Sequence, residues 1–313
     1  MYINSNLNEE LFCQAMVAIK TLNKEKSQWT NNEYYRLGLK TKRILDYFSF
    51  SGLKRKFTRR KKFGSMKTPP NLPGAVNDRT VCNYFSKERI AIYTCITGKY
   101  DEVLEPLFVP DNCDFYVITD LDLPMGSIWN KIDFLKFPEV ETFDNVLKNR
   151  YFKFFPHKVF PEYRYSIYID GNIRVCSDLT EHINRISKYG VGCFKHSLRN
   201  CAYKEAKACI ALKKQTPEKI NQLTNYLKNN GFPLDYGLIE CNFIVREHNN
   251  RECIHLMEEW WEVLIKFAHR DQISFPYILY KNGISVEEIG TLGGNVHEEY
   301  SIEFTTHNEK KGF

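Results

Sequence analysis

From residue 88 onward, short apolar runs dense in β-branched and aromatic residues alternate with longer stretches whose apolar residues fall three and four apart. Arg89–Ile96, Asp114–Asp120, Tyr165–Ile169, Gly190–Lys195 and Leu238–Arg246 read as buried strands, with a last short strand at 284–289. The stretches 142–156, 201–214, 217–229 and 251–268 read as helices. A strand feeding a helix feeding a strand closes most easily as a parallel sheet. The expectation is therefore an α/β domain, Rossmann-like, with a mostly parallel sheet and helices on both faces.

The preceding residues are built differently. Residues 7–22 and about 32–48 predict amphipathic helices, and Leu53–Phe63 interleaves seven basic residues with Leu53, Phe57 and Phe63. Thr68–Gly74 carries three prolines and cannot continue a helix. These shifts predict a helical, basic extension over 1–67, a linker over 68–87 and a catalytic domain over 88–313. Charge follows the same division. Residues 36–67 hold twelve Lys or Arg against Asp46, a local +11, while the chain as a whole carries +6 and its residues from Thr68 onward −4. A basic arm on a mildly acidic body predicts an anionic partner for the arm, here a membrane surface reached through 36–67 rather than nucleic acid, whose phosphates the body would repel.

The ten cysteines form no C-x-x-C pair and mostly sit in apolar runs such as Ala91–Gly98 and Leu238–Val245, which predicts buried, reduced thiols. The N-terminus lacks the basic and apolar regions of a signal peptide. No stretch approaches the roughly 20 apolar residues that span a bilayer. The expected location is cytoplasmic, peripheral on the inner face of a membrane.

In an open α/β sheet, ligands sit beyond the carboxyl ends of the strands. Three predicted strands end on polar residues: Thr97-Gly98-Lys99-Tyr100-Asp101, Asp120, and Asp170-Gly171-Asn172. In the last, two oxygen-bearing side chains flank a glycine, a pattern able to hold a hard divalent cation that bridges a diphosphate. An ordinary Asp-Gly turn would look the same, and the neutral Asn172 leaves metal dependence open. Asn149, Arg150 and Lys153 share one face of a predicted helix, as a diphosphate cradle or as a solvated basic face. His196 and Arg199 follow another strand. Asp271 and Gln272 follow the long helix, as sugar-binding groups, a general base, or a polar helix end. Zinc-hydrolase, P-loop, dinucleotide and serine-hydrolase motifs are all missing.

Taken in order, Tyr93-Thr94-x-Ile96-Thr97-Gly98-x-Tyr100-Asp101, Asn149-Arg150-x-x-Lys153-x-x-Pro156-His157, Ser166–Asn172, His196-x-x-Arg199 with Glu205-Ala206, and Arg270-Asp271-Gln272-x-Ser274-Phe275 resemble the glycosyltransferase-like family of the plant mucilage-related and turgor-regulation-defect proteins, which has relatives in bacterial polysaccharide loci. The resemblance covers about residues 88–280. It implies a GT-A-like fold and transfer of a sugar from a nucleotide-sugar donor to a glycan or lipid-linked acceptor. Thr97, Gly98, Tyr100, Asp101, Asp120, Arg150, Lys153, Asp170 and Gln272 would bind the donor, and His196, Arg199 and Asp271 would serve catalysis. A divalent metal, Mn2+ or Mg2+, would sit on Asp170 and Asn172 with a late histidine, for which His297 and His307 qualify and His297 is taken. The alternatives are a hydrolase or amidase of a sphingolipid-like substrate, and an inactive glycan- or membrane-binding module.

Overall fold

In the computed structural model, residues 88–267 and 269–305 are described. The helices and linker expected before residue 88, the basic arm and His307 lie outside them.

Six strands form one sheet in the order β3-β2-β1-β4-β7-β6. They are β1 (Ile90–Ile96), β2 (Cys113–Thr119), β3 (Asn130–Ile132), β4 (Tyr165–Ile169), β6 (Val191–Lys195) and β7 (Ile239–Arg246). β1, β2, β3 and β4 pair in parallel. β7 runs antiparallel to both β4 and β6, so β6 points the same way as β4. β1 and β4 are buried along their whole length, as central strands covered on both faces must be.

The two coverings differ. Ala91, Tyr93 and Cys95 face a large core supplied by the α-helices: α1 (Asn145–Phe154), α2 (Pro156–Val159), α3 (Ala202–Ala211), α4 (Pro217–Asn229), α5 (Arg251–Lys266), α6 (Asp271–Lys281) and α7 (Val286–Ile289). Ile90 and Ile92 face a smaller core closed by the 3-10 segment Thr180–Arg185 and by a two-stranded antiparallel sheet of β5 (Ile173–Val175) with β8 (Ile302–Phe304). The eight described cysteines are all buried and unpaired.

α5 shows how sequence spacing sets the packing. Asn250 caps it by accepting the N–H groups of Glu252 and Cys253, and Cys253, Leu256, Met257, Trp260, Val263 and Leu264 turn inward at three-and-four spacing. Trp260 lies stacked between Phe154 of α1 and Phe275 of α6, ring centroids 4.0 Å apart on each side. Its indole N–H donates to Ser274 Oγ at 2.9 Å. Each such aromatic pair contributes about 0.5–1.5 kcal/mol beyond burial. The sandwich locks together the two helices that carry Lys153 and Asp271.

Two readings are corrected. Residues 284–289 do not form a strand: Ser285 and Glu288 build a capping box that starts the short helix α7. The long helix ends at Lys266, and Asp271 opens a separate helix, α6.

Candidate functional site

A cleft of about 710 Å³ opens beyond the carboxyl ends of β1, β4 and β6. Because β7 is antiparallel, its first residues lie at this same edge. Asp170 N–H donates to the carbonyl of Asn242, and Phe194 of β6 pairs with Glu240. Glu240 therefore projects from the start of β7 beside the ends of β4 and β6.

One wall is α1. Asp144 caps it by accepting Leu147 N–H. Thr97 Oγ1 donates to the Asn145 carbonyl (2.7 Å) and Asn149 Nδ2 to the Cys95 carbonyl (2.6 Å), strapping the helix to the end of β1. Gly98, at φ +65°, makes that turn, and a Cβ on it would lie 2.3 Å from Asn145 Nδ2. Gly171 is constrained by contact instead, since a Cβ there would sit 2.8 Å from Ile96 Cγ1. At the other end of α1, the buried guanidinium of Arg246 donates to the Lys153 carbonyl (2.7 Å) and to Tyr93 Oη (2.6 Å).

Lys153 is fully buried, and its ammonium lies 2.5 Å from Asp271 Oδ2, 3.6 Å from Asp170 Oδ1 and 5.1 Å from the centre of the Tyr168 ring. Asp170 Oδ1 also accepts the Tyr168 hydroxyl at 2.8 Å. Arg150 Nε stands 3.8 Å from Asp271 Oδ2, and its Nη1 donates to Asn149 Oδ1. Burial alone would raise the pKa of Asp271, but Arg150, Lys153 and Arg270 outweigh it and hold the carboxyl far below the usual range. The expected shared basic face is thus split: Arg150 lines the cleft, and Lys153 lies behind it beneath the two aspartates. Asp271, expected as a candidate general base, is gripped by an ammonium and faces a guanidinium, a setting that lowers its affinity for a further proton.

The opposite wall is a second polar cluster. His196 Nδ1 accepts the backbone N–H groups of Leu198 (3.1 Å) and Arg199 (3.3 Å), which puts the ring proton of the neutral form on Nε2, 3.6 Å from Glu205 Oε2. Arg199 Nε donates to Glu205 Oε2 at 2.5 Å. Burial pushes Glu205 up, yet the bonds and charges of His196 and Arg199 prevail and hold it at about 2. Gln272 Nε2 donates to Glu240 Oε2, and Glu240 Oε1 is 3.8 Å from His196 Nδ1. Burial is the largest influence on Glu240 and raises its pKa. His196 opposes that, Glu205 and Asp271 add to it, and the Gln272 bond opposes it.

Of the residues expected from sequence, Thr97, Tyr100, Asp101, Arg150, Asp170 and Asn172 line the cleft. His196, Arg199, Asp271, Gln272 and His297 line it too. Asp120 is exposed at the end of β2 outside the lining, and Gly98 shapes the neighbouring turn. Glu240 was missed. The signal available was an acid set in the largely apolar run Leu238–Val245. Glu205, noted only as part of a motif, proves to be the ion-pair partner of Arg199.

The expected metal ligands can be tested for fit. Among the described residues no group of three or more His, Cys, Asp or Glu is placed to hold a metal ion. Asn172 gives its Nδ2 to the Thr305 carbonyl (3.3 Å), so Oδ1 is the atom left to meet a cation. His297, packed against Phe304, is held toward its neutral, metal-ligating form chiefly by burial. By donor type, one carboxylate, one amide oxygen and one imidazole would suit a divalent cation that takes its remaining ligands from a diphosphate.

No curated protein sequence matches the chain. Among solved structures, the bifunctional glycosyltransferase WbbM is similar at 12% identity and TM-score 0.39, over 67% of this chain and 39% of that one, so the chain spans well under half of it. Mouse xyloside xylosyltransferase 1 is similar at 11% identity and TM-score 0.36, over 63% of this chain and 81% of that one. The galactosyltransferase LgtC, solved with donor and acceptor sugar analogues, is similar at 10% identity and TM-score 0.34, over 60% and 69%. The sequence matches the TOD1/MUCI70 glycosyltransferase-like domain over residues 128–289, more than half of the chain and the part that holds α1, β4, β7 and α6, and the protein belongs to that family.

Proposed function

We propose that the protein transfers a sugar from a nucleoside diphosphate donor to a glycan or lipid-linked acceptor, in the synthesis of cell-surface polysaccharide. The observation that carries this is the placing of Asp170 and Asn172 at the end of β4 beside Arg150, in a cleft whose far wall is polar. Departure of the diphosphate leaves negative charge on its oxygens, and stabilising that charge is the main task of the site. Arg150 offers a charge-assisted hydrogen bond worth about 1.5–3 kcal/mol. Its Nε is buried and makes no hydrogen bond among the described residues, and Asp271 and Asp170 hold its proton firmly against the cost of burial. Asp170, Asn172 and His297 would hold Mn2+ or Mg2+, which supplies further positive charge to the leaving group. Thr97, Tyr100 and Asp101, which line the cleft on the loop after β1, would meet the nucleoside.

The test is a panel of nucleotide sugars offered to the full-length protein, with and without manganese, scored by release of nucleoside diphosphate. Turnover of at least one donor is expected, with its loss in a folded Asp170→Ala variant. No turnover across the panel, or full activity in that variant, overturns the reading. The arm Lys54–Phe63 would bring the enzyme to a lipid-linked acceptor on the cytoplasmic side, each basic residue contributing about 1 kcal/mol at an anionic surface. Failure of the full-length protein to co-sediment with phosphatidylglycerol vesicles at low salt would remove that part.

A further inference from the structure

Three of the carboxylates that line the cleft are buried: Asp271 on the α1 side, and Glu205 and Glu240 on the opposite wall. Asp271 is ion-paired with Lys153 and faces Arg150. Glu205 is ion-paired with Arg199. Glu240, 5% exposed, has no Lys or Arg within 4 Å among the described residues. Its one hydrogen-bond donor is the neutral amide of Gln272, and the nearest titratable nitrogen is His196 Nδ1, which is occupied by two backbone N–H groups. The charged and titratable groups that face it are therefore His196 from the loop after β6, Glu205 from α3 and Asp271 from α6. Of the three, Glu240 alone has no Lys or Arg paired with it among the described residues.

Resting on the transfer reading above, we infer that Glu240 is the catalytic residue that accepts the proton of the acceptor hydroxyl, with Gln272 as its positioning residue. As the acceptor oxygen bonds to the anomeric carbon, its proton passes to a Glu240 oxygen. The bond from the anomeric carbon to the diphosphate breaks, and its electron pair leaves on the diphosphate oxygen. The glutamic acid so formed returns its proton to solvent before the next turnover. The buried setting suits this task, since a carboxyl shifted upward binds a proton more tightly at working pH than one pinned by arginine or lysine. The resulting configuration at the anomeric carbon is inverted, because attack and departure occur on opposite faces in a single displacement.

The experiment compares wild type, Glu240→Gln and Glu240→Ala on the donor found by the nucleotide-sugar panel, reading transfer, nucleoside diphosphate affinity by calorimetry, and product configuration by NMR. The expected result is a loss of transfer of 100-fold or more in Glu240→Gln with affinity unchanged within about threefold. The acid limb of wild-type kcat/KM should lie above the ordinary glutamate range and vanish in Glu240→Gln. Added formate should restore part of the rate in Glu240→Ala. Transfer within threefold of wild type in Glu240→Gln overturns the inference, as does a retained product configuration. A loss of transfer matched by an equal loss of nucleoside diphosphate affinity also overturns it. A wild type without turnover on any donor fails the transfer reading itself and takes this inference with it.

Discussion

The two walls of the cleft use the same kinds of side chain to opposite ends. On the α1–α6 wall, Lys153, Arg150, Asp170 and Asp271 interlock, so that each buried charge meets its opposite. On the β7–α3 wall, Arg199 neutralises Glu205 and leaves Glu240 with only an amide. A buried carboxylate with a fixed cation is a strut: it holds geometry and resists protonation. A buried carboxylate without one can take up a proton. Residue type does not separate the two roles, but the company each residue keeps does.

Removing a strut should produce the largest effect. Lys153→Ala leaves Asp271 buried beside a cavity, and breaking one partner of a buried pair costs about 3–5 kcal/mol. Urea unfolding should show that loss, and a Lys153→Met/Asp271→Asn double variant should regain most of it. A cost below about 1 kcal/mol for Lys153→Ala would mean that the wall is not held by this pair.

The next effect is on pH. Glu205 has a folded pKa below its unfolded one, at about 2. Its stabilisation is fully present above about pH 4.5 and is lost as pH falls toward 2, an amount on the order of 3 kcal/mol. Replacing Glu205 by Gln should flatten the acid limb of the stability curve over that window. An unchanged limb would show that Arg199 and His196 do not grip it in solution.

Glu240 should give the smallest change in stability and the opposite sign. Its folded pKa is raised, so the folded state binds the extra proton and stability falls as pH rises from the ordinary glutamate value through the raised one. Glu240→Gln should remove that decline at a cost within about 1 kcal/mol at acidic pH, and should match or exceed wild type at pH 8. A large loss at pH 8 would make Glu240 a strut like the others and erase the contrast between the walls.

How much of this could be read from sequence differs by feature. The five longer strands fall within a residue of their expected ends, because buried strands announce themselves by unbroken apolar runs bounded by turn residues. Residues 284–289 misled because Ile284, Val286 and Ile289 suggest a strand, while the decisive pair, Ser285 and Glu288, is a helix start. Pro276, inside α6, obscured the helix that begins at Asp271. The cleft-lining aspartates were legible from their places after apolar segments. The pairing of Lys153 with Asp271, 118 residues apart, was not, since helix spacing reports which residues share a face and says nothing of what that face meets. Nor could spacing reveal that β7 runs backwards, which is what brings Glu240 to the working edge.

That reversed strand also separates the two halves of the site by the way each reaches the cleft. A parallel strand delivers its chemistry from the loop that follows it, whereas β7 delivers Glu240 from its own first residues, just after the loop that precedes it. That loop is anchored on its own terms: Gly237, at φ +113°, gives its N–H to the Asn200 carbonyl at 2.8 Å and lies so close to Val286 that a Cβ would fall 2.8 Å from the valine Cβ. Segment 231–237 and the turn 196–201 therefore behave as a matched cassette. A substitution in either segment is therefore expected to be felt in the other, and through both in the placing of Glu240 at the start of β7.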